Sequence, residues 1–243
     1  MGKNGKGKRG KTKHRQTSNV SGVMPTPEYL AAKNINATIM VLRGFLTPED
    51  ITALKTLGPK GEFVKQDRTD ELNFEHEVWR FEKELLGQGR GLHEKVLNAM
   101  YFADEQLWRG IPPQGSSARK KLHAEVEFIS YNAEMCKKRG GCPPHIGPHV
   151  DNSSAVTLIG MLSSFKAGDY EGGMNRFEVG DHSSMDAKKG GGIGDGRFRE
   201  IRLGKGDVLI FRGEMVEHSL TPVSDGLRQI LQIELCRQKE GRH

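Results

Sequence analysis

Residues 149–152 read HVDN, and residues 217–228 read EHSLTPVSDGLR. Side chains two positions apart on a β-strand point to the same side, so His149 and Asp151 can present an imidazole and a carboxylate to one point. His218 can supply a third ligand there. Two histidines and one carboxylate leave the opposite positions of a metal open, as in non-heme Fe(II) centres. We therefore predict that these three residues are metal ligands, although a His-x-Asp pair by itself is a weak signal.

Arg228 follows a turn sequence, TPVSDG at residues 221–226, and begins the next predicted strand. The two-residue period of a strand places Arg228, Ile230 and Gln232 on one side of it. If that side faces inward, the guanidinium is a buried cation, which is costly without an anionic partner. A dicarboxylate ligand would provide that partner.

The hydrophobic pattern changes along the chain from helical to strand-like spacing. A strand is predicted at Thr38–Leu42, and a helix is predicted to begin after the N-cap Thr47 and to end at Leu57. Two further helical segments are predicted at His76–Leu86 and Leu92–Trp108. Later strands are predicted at Ala124–Tyr131, Val156–Ser163, Met174–Val179, Glu200–Leu203, Val208–Phe211 and Arg228–Leu235. Strands that follow a helical block indicate helices packed against two sheets, in a sandwich or barrel.

The composition indicates one soluble domain of 243 residues, with 35% hydrophobic and 28% charged residues. No apolar run approaches the roughly 20 residues of a membrane-spanning helix, and the N-terminus has no apolar signal stretch. Cys136, Cys142 and Cys236 are too few and too irregular for a disulfide framework. We therefore expect a protein of a reducing compartment, cytoplasmic or nuclear, without membrane contact.

The net charge of +6 comes from the N-terminal residues. Seven lysines and arginines lie within the first 15 residues, so the rest of the chain has no excess of positive charge. We expect residues 1–27 to be a disordered basic tail. A solvated arm, a nuclear address and an electrostatic contact with RNA or the ribosome remain alternatives for it. The predicted organisation continues with an N-terminal strand and supporting helices at 28–121 and a β-core at 122–238.

Two long glycine-containing loops adjoin the candidate site. One is predicted at residues 132–148 and the other at 180–196. Long loops in compact domains are commonly either lids or disordered segments, and both alternatives are open here. His76, His93 and His123 are interpreted as surface or packing residues.

These motifs together resemble the iron(II)/2-oxoglutarate-dependent dioxygenase superfamily, and within it the prolyl-4-hydroxylase-like branch. The resemblance covers about residues 127–235, including Gly172-Gly173 before the strand that contains Phe177, and residues 44–49 resemble an entry helix of that branch. It implies an α+β fold with a double-stranded β-helix, or jelly-roll, core flanked by N-terminal helices. By position, His149, Asp151 and His218 correspond to the iron ligands.

The resemblance also implies the co-substrate site and the reaction. Arg228 corresponds to the arginine that pairs with the far carboxylate of 2-oxoglutarate, and Tyr131 to a tyrosine that contacts this co-substrate. The implied reaction uses Fe(II) and O₂, with ascorbate as a reductant, and couples decarboxylation of 2-oxoglutarate to hydroxylation of a C–H bond. No catalytic residue beyond the metal ligands is implied. A peptidyl prolyl residue is the expected substrate, and a free amino acid or small molecule is the alternative.

Two positions depart from the relatives that the resemblance suggests. Met161 stands where some prolyl hydroxylases have a tyrosine, so we expect Thr157 or Gln232 to supply the missing contact to 2-oxoglutarate. Glu234 stands where the nucleic-acid demethylase branch usually has a second arginine, which argues against nucleobase repair.

Two non-enzymatic hypotheses remain. Cys136, Cys142, His145 and His149 have the residue types of a structural zinc site, but the Cys-x5-Cys gap is wide. Such a site would leave Asp151, His218 and Arg228 without a role. The other hypothesis is a barrel that binds a ligand without turnover. The oligomeric state is left open.

Overall fold

A computed structural model describes residues 24–64 except 31 and 33, together with residues 76–112, 116–179 and 198–237. The predicted basic tail lies outside these residues apart from 24–27, and the predicted loop at 180–196 lies wholly outside them. None of the helices in the described ranges has the length and apolar character needed to cross a bilayer.

The described residues form four α-helices, three short 3-10 helices and thirteen strands. The α-helices are α1 (Pro48–Leu57), α2 (Glu82–Gln88), α3 (Arg90–Leu107) and α4 (Ala133–Lys138), and the 3-10 helices are Ile35–Ala37, Gly58–Lys60 and Arg119–Lys121. The strands are β1 (Glu28–Leu30), β2 (Ile39–Leu42), β3 (Glu62–Val64), β4 (Glu77–Arg80), β5 (Leu122–Asn132), β6 (Ile146–His149), β7 (Ser154–Met161), β8 (Tyr170–Gly172), β9 (Asn175–Glu178), β10 (Phe198–Ile201), β11 (Val208–Phe211), β12 (His218–Leu220) and β13 (Val223–Arg237).

A large and a small antiparallel sheet make up the β-structure. The large sheet has the order β1-β2-β11-β7-β13-β5-β4-β3, and β8 pairs with the beginning of β13. The small sheet has the order β10-β9-β12-β6. The predicted later strands are all present, and so is the predicted strand at 38–42. The predicted turn at 221–226 is wrong in its second part, because β13 already begins at Val223 and its first residues pair with β8.

Two clusters of buried side chains define three layers. In β13, Leu231, Ile233 and Leu235 pack into the cluster that also contains the apolar faces of α1 and α3. Ile230 faces the opposite way, into the cluster shared with the small sheet. The order of layers is therefore helices, large sheet and small sheet, which confirms the predicted α+β arrangement. The four consecutive apolar residues of β11 are all buried because this strand is covered on both faces.

Helix α1 begins and ends as predicted. Thr47 accepts a hydrogen bond from the backbone N–H of Asp50, and the Asp50 carboxylate accepts one from the backbone N–H of Thr47, forming a capping box. Pro48 occupies the first turn, and the buried side chains Ile51, Leu54 and Leu57 recur on one face.

The predicted helix at His76–Leu86 is wrong in its first half. Residues 77–80 form β4, which pairs with β5 so that Val78 lies opposite Ile129. Only from Glu82 onward is the segment helical. Long-range pairing with β5 outweighs the local helical spacing. The segment predicted as a loop at 132–148 also differs, because it contains α4, which Asn132 caps by accepting from the backbone N–H of Met135.

Candidate metal and co-substrate site

Pairing of two strands in the small sheet brings the predicted histidine ligands together. His218 in β12 lies directly opposite His149 in β6. Asp151 follows β6, and its backbone N–H donates to the carbonyl of Gly213. The Asp151 Oδ1 atom lies 3.6 Å from His149 Nε2 and 3.5 Å from His218 Nε2. One ligand atom from each residue falls within 4.8 Å of the others, so a single ion can contact all three.

A hydrogen bond from Nδ1 to a backbone carbonyl orients each imidazole so that its Nε2 atom faces Asp151. His149 Nδ1 lies 2.9 Å from the carbonyl oxygen of Gly147, and His218 Nδ1 lies 3.1 Å from that of Val216. A carbonyl oxygen only accepts, so each Nδ1 carries the proton and donates. Both Nε2 atoms are then unprotonated in the neutral rings and available to a metal, the second-shell arrangement usual for ligating histidines.

Asp151 is held by a hydroxyl from β7. The Thr157 Oγ1–H donates to Asp151 Oδ2 at 2.7 Å, and Thr157 Oγ1 lies 2.9 Å from Ser154 Oγ. A Cβ at Gly213 would lie 2.3 Å from Thr157 Oγ1, so glycine is required there for this close approach. The second oxygen, Oδ1, is left facing the two imidazoles.

Burial and the two imidazoles set the protonation states of the triad. Burial would raise the pKa of Asp151, but the contacts with His149, His218 and Thr157 outweigh it and lower this pKa. Burial lowers the pKa of His218 to about 4, against the opposing effect of Asp151. Burial also acts to lower the pKa of His149, yet the contacts with Asp151 and Gly147 raise it overall.

Aromatic rings enclose the buried imidazole of His218. The ring of Phe177 stacks on it with centroids 5.9 Å apart, and the ring of Phe211 meets it edge-on at 4.7 Å. These contacts make the inner side of the triad apolar.

Arg228 is a buried cation with unused donors, so its side of β13 faces inward. It is 1% exposed, and its Nη2 donates to Asn175 Oδ1 at 2.8 Å. Its Nε and Nη1 atoms have no hydrogen-bond acceptor among the described residues. Burial lowers the pKa of Arg228, and the nearby Tyr131 and Tyr170 partly offset that effect. A buried guanidinium with free donors is the partner that a carboxylate requires.

Two consecutive glycines lie beside this arginine, and Gly173 makes room for its side chain. Gly173 has a φ of +60°, and a Cβ there would lie 2.9 Å from Arg228 Cδ. Gly172 has a φ of +73°, and its Cβ would lie 2.2 Å from the carbonyl oxygen of Pro222. Both the backbone conformation and the close contacts exclude larger residues.

A cavity of about 200 Å³ between the two sheets connects the triad with Arg228. Asp151 is hydrogen-bonded to Thr157, and Thr157 lies opposite Glu234 where β7 pairs with β13. The triad therefore lies near Glu234, toward the C-terminal end of β13. Arg228 stands six residues earlier on the same side of β13. Apolar side chains, Ile230 and Ile159 among them, line the space between.

Six of the seven predicted site residues line this cavity. They are His149, Asp151, His218, Arg228, Tyr131 and Gln232. The seventh, Thr157, lies behind Asp151 and does not line it. The amide of Gln232 donates to Glu234 Oε1 at 2.8 Å. Direct contacts of Thr157 and Gln232 with a co-substrate remain predictions.

His76 lines the cavity although it was interpreted as a surface or packing residue. Its ring lies 5.2 Å from that of Tyr131, and burial, with His149 as the second cause, lowers its pKa to about 4. The pairing of β4 with β5 brings His76 there, and local sequence carries no sign of that pairing.

Four further residues near the site were not predicted. Asn175, Glu127 and Glu234 line the cavity, and the buried Tyr170 lies close to Arg228. Asn175 is two positions before Phe177 on the same strand, so its side chain points to the same side, and this spacing would have identified it.

The predicted alternatives are not assembled in the described part of the chain. Cys136, Cys142 and His145 join no group of side chains able to hold a metal there. Cys142 is exposed, Cys136 is buried, and His145 Nδ1 lies 3.0 Å from the carbonyl oxygen of Pro143.

The sequence matches no protein-family model and no curated protein. Solved structures, however, are similar in fold. A prolyl-4-hydroxylase from Pseudomonas putida is 16% identical, with a TM-score of 0.50 over 83% of this chain and 93% of that one. A prolyl hydroxylase from Trichoplax adhaerens, in complex with a hypoxia inducible factor oxygen degradation domain peptide fragment, is 13% identical, with a TM-score of 0.53 over 84% and 86%. HygX from Streptomyces hygroscopicus, with nickel and 2-oxoglutarate bound, is 12% identical, with a TM-score of 0.52 over 82% and 83%.

These similarities confirm the fold. The chain has the double-stranded β-helix fold of the 2OG-Fe(II) oxygenases, including prolyl hydroxylases, as the motifs predicted. Sequence identities of 12–16% support similarity of the fold and not of the activity.

Proposed function

We propose that this protein is an Fe(II)- and 2-oxoglutarate-dependent oxygenase. The observation that carries the proposal is the combination of a His-Asp-His triad and a buried, incompletely paired arginine in one cavity. Two imidazole nitrogens and one carboxylate oxygen are the donor set of non-heme Fe(II) oxygenases. The free donors of Arg228 suit one carboxylate of a dicarboxylic acid. A site for a neutral ligand would not need a buried cation.

His149, Asp151 and His218 would hold the iron, and Arg228 would hold the far carboxylate of 2-oxoglutarate. When bound, iron, 2-oxoglutarate and O₂ supply the oxidising chemistry, which couples decarboxylation of 2-oxoglutarate to hydroxylation of a C–H bond. The chain's own residues bind and orient these groups. The planar guanidinium of Arg228 can present two parallel N–H donors to a carboxylate, and Tyr131 covers its face at 5.1 Å.

The neighbouring side chains orient the ligands and exclude water. Thr157 keeps one oxygen of Asp151 occupied, so the carboxylate presents the other oxygen to the metal. The carbonyls of Gly147 and Val216 fix both imidazole rings. Phe177 and Phe211 keep the inner side of His218 dry, which strengthens electrostatic interactions within the cavity.

A peptidyl prolyl residue is the proposed substrate. Support comes from the similarity in fold to two prolyl hydroxylases, one of them solved with a peptide fragment. Ascorbate is the proposed reductant of the iron between turnovers.

A specific observation favours a second class of substrate. Glu127 and Glu234 line the cavity near the triad, and the described residue that pairs with Glu127 is Arg80, whose Nε donates at 3.1 Å. Carboxyl oxygens on this wall of the cavity favour a substrate that donates hydrogen bonds, such as the ammonium group of a free amino acid or of an amine-bearing small molecule.

The test is a turnover assay of the full chain with Fe(II), 2-oxoglutarate, ascorbate and air. We expect succinate to form slowly without a second substrate and faster with a proline-containing peptide or an amine that gains one oxygen atom by mass spectrometry. His218→Ala is the control and should form no succinate. A protein that binds 2-oxoglutarate without forming succinate under any of these conditions would be a binding module, contrary to the proposal.

A further inference from the structure

A second group of metal-ligating side chains lies near the end of the large sheet, outside the triad. His123 and Glu125 are two positions apart on β5, so their side chains point to the same side. Cys236 lies opposite His123 on β13. One ligand atom from each of the three lies within 4.8 Å of the others. Glu234 is two residues before Cys236 and lies opposite Glu125 in the same ladder.

Two close contacts link these side chains. The Nε2 atom of His123 lies 3.5 Å from Glu125 Oε1. The Sγ atom of Cys236 lies 3.8 Å from Glu234 Oε2. The ladder between β7 and β13 shifts register between Leu235 and Cys236, an irregularity of the kind that re-aims a side chain.

Each carboxylate is held through one oxygen and presents the other to the group. Arg80 Nη2 donates to Glu125 Oε2 at 3.1 Å, which leaves Oε1 beside His123. The amide of Gln232 donates to Glu234 Oε1 at 2.8 Å, which leaves Oε2 beside Cys236. Neighbours outside the group therefore orient its oxygen ligands, as second-shell residues do at metal sites.

The charge around the thiol favours a cation. Glu125, Glu127 and Glu234 lie on this side of the sheet, and Arg80 bonds to the first two. Carboxylates beside a thiol attract a divalent ion, and coordination to such an ion favours the thiolate.

We propose that His123, Glu125 and Cys236 form a second metal site that binds a thiophilic divalent cation of the Zn²⁺ class, with Glu234 beside the thiol. Nitrogen, sulfur and carboxylate oxygen are zinc ligands, and three of them leave the fourth position of a tetrahedral site open. The thiol selects against Mg²⁺ and Ca²⁺, which prefer oxygen ligands. This site differs from the triad in containing sulfur, and it does not depend on the proposed oxygenase activity.

Anaerobic titration of the full metal-free chain with Co²⁺ tests the site. A thiolate ligand to Co²⁺ gives a near-ultraviolet charge-transfer band, which ions bound only to the His149–Asp151–His218 triad cannot give. We expect this band in the wild-type protein and in His218→Ala, whose triad is broken. We expect it to disappear in Cys236→Ser, with one fewer Co²⁺ bound per chain by equilibrium dialysis.

Two matched variants complete the test. Cys142→Ser removes an exposed thiol elsewhere and should keep the band. His123→Ala changes a side chain that is 48% exposed, so it should fold normally, and it should weaken Co²⁺ binding at the thiol site by at least about ten-fold. The proposal is overturned if the wild type shows no thiolate band with excess Co²⁺ at neutral pH, if the band survives Cys236→Ser, or if His123→Ala binds as tightly as the wild type.

Discussion

At the scale of single residues, Arg228 separates recognition of 2-oxoglutarate from binding of the metal. Arg228→Lys keeps a positive charge but replaces a planar fork of donors with a single ammonium group. Loss of a charge-assisted hydrogen bond costs about 1.5–3 kcal/mol, so 2-oxoglutarate affinity should fall roughly 10- to 100-fold. Anaerobic calorimetry with Fe(II) present measures this affinity.

The same experiment has an internal and an external control. Fe(II) affinity should not change in Arg228→Lys, because the arginine is not a ligand. Arg212→Lys should leave both affinities unchanged, since Arg212 bonds to Asn36 and Glu214 and does not line the cavity. Wild-type affinity for 2-oxoglutarate in Arg228→Lys would contradict the assigned role of the guanidinium.

Thr157 offers a test of how the carboxylate ligand is positioned. Thr157→Val preserves shape but removes the hydroxyl that donates to Asp151 Oδ2. Removal of a second-shell partner typically weakens metal binding roughly 10- to 100-fold, and we expect that loss in an anaerobic Fe(II) titration. Thr157→Ser retains the hydroxyl and should restore most of the affinity. Equal Fe(II) affinity in all three proteins would show that this hydrogen bond does not position Asp151.

The residues predicted from sequence alone were those whose chemistry is visible in a local pattern. His149, Asp151 and Arg228 were recognised from local spacing. Asp151, however, follows the end of β6, and its backbone bond to Gly213 and the Thr157 hydroxyl place it rather than strand spacing. Glu234 was noticed only as a departure from a related pattern. His76 gave no signal because its place beside Tyr131 depends on pairing between strands far apart in sequence.

At the scale of elements, the cap of α1 supports the helical layer behind the large sheet. Thr47→Ala removes the hydroxyl oxygen that accepts a hydrogen bond from the backbone N–H of Asp50. This change should lower the free energy of unfolding by about 1 kcal/mol. Urea denaturation measures this change. Thr56→Ala is the matched control, because Thr56 is an exposed residue inside the same helix, and alanine has the higher helix propensity. An equal loss in both variants would assign the effect to threonine packing rather than to capping.

Element boundaries were predictable where local chemistry fixes them. Thr47, Pro48 and the following acids mark the start of α1, and Gly58-Pro59 marks its end. No comparable signal separates β4 from α2, where the helical spacing continues through a segment that pairs as a strand with β5. Tertiary pairing decided that boundary, and the sequence pattern alone could not.

At the scale of the whole molecule, closure of two sheets over one cavity places charges of both signs on a single strand. Arg228 and Glu234 lie on the same side of β13, and both line the cavity. Strand parity predicted which residues share a side with Arg228, namely Ile230 and Gln232. The pairing of β13 with both β5 and β7, which surrounds Glu234 with Glu125 and Thr157, required the folded topology.

This surrounding makes the stability of the metal-free protein depend on pH through Glu234. Burial, followed by the Asp151 carboxylate, raises the Glu234 pKa from an ordinary value of 4.5 to about 7. Between these values the folded chain holds a proton that the unfolded chain releases. The associated stabilisation is therefore present below about pH 4.5 and is lost as the pH rises through 7.

Glu234→Gln removes this titration and keeps an oxygen that can accept from Gln232. At about 1.4 kcal/mol per pKa unit, the variant should gain roughly 2–3 kcal/mol of stability relative to the wild type between pH 5 and pH 8. Urea denaturation of both metal-free proteins at the two pH values measures the gain. Glu94→Gln, a change of an exposed carboxylate on α3, should show the same small difference at both pH values. A stability difference for Glu234→Gln that is independent of pH would mean that the folded protein ionises Glu234 as readily as the unfolded chain does.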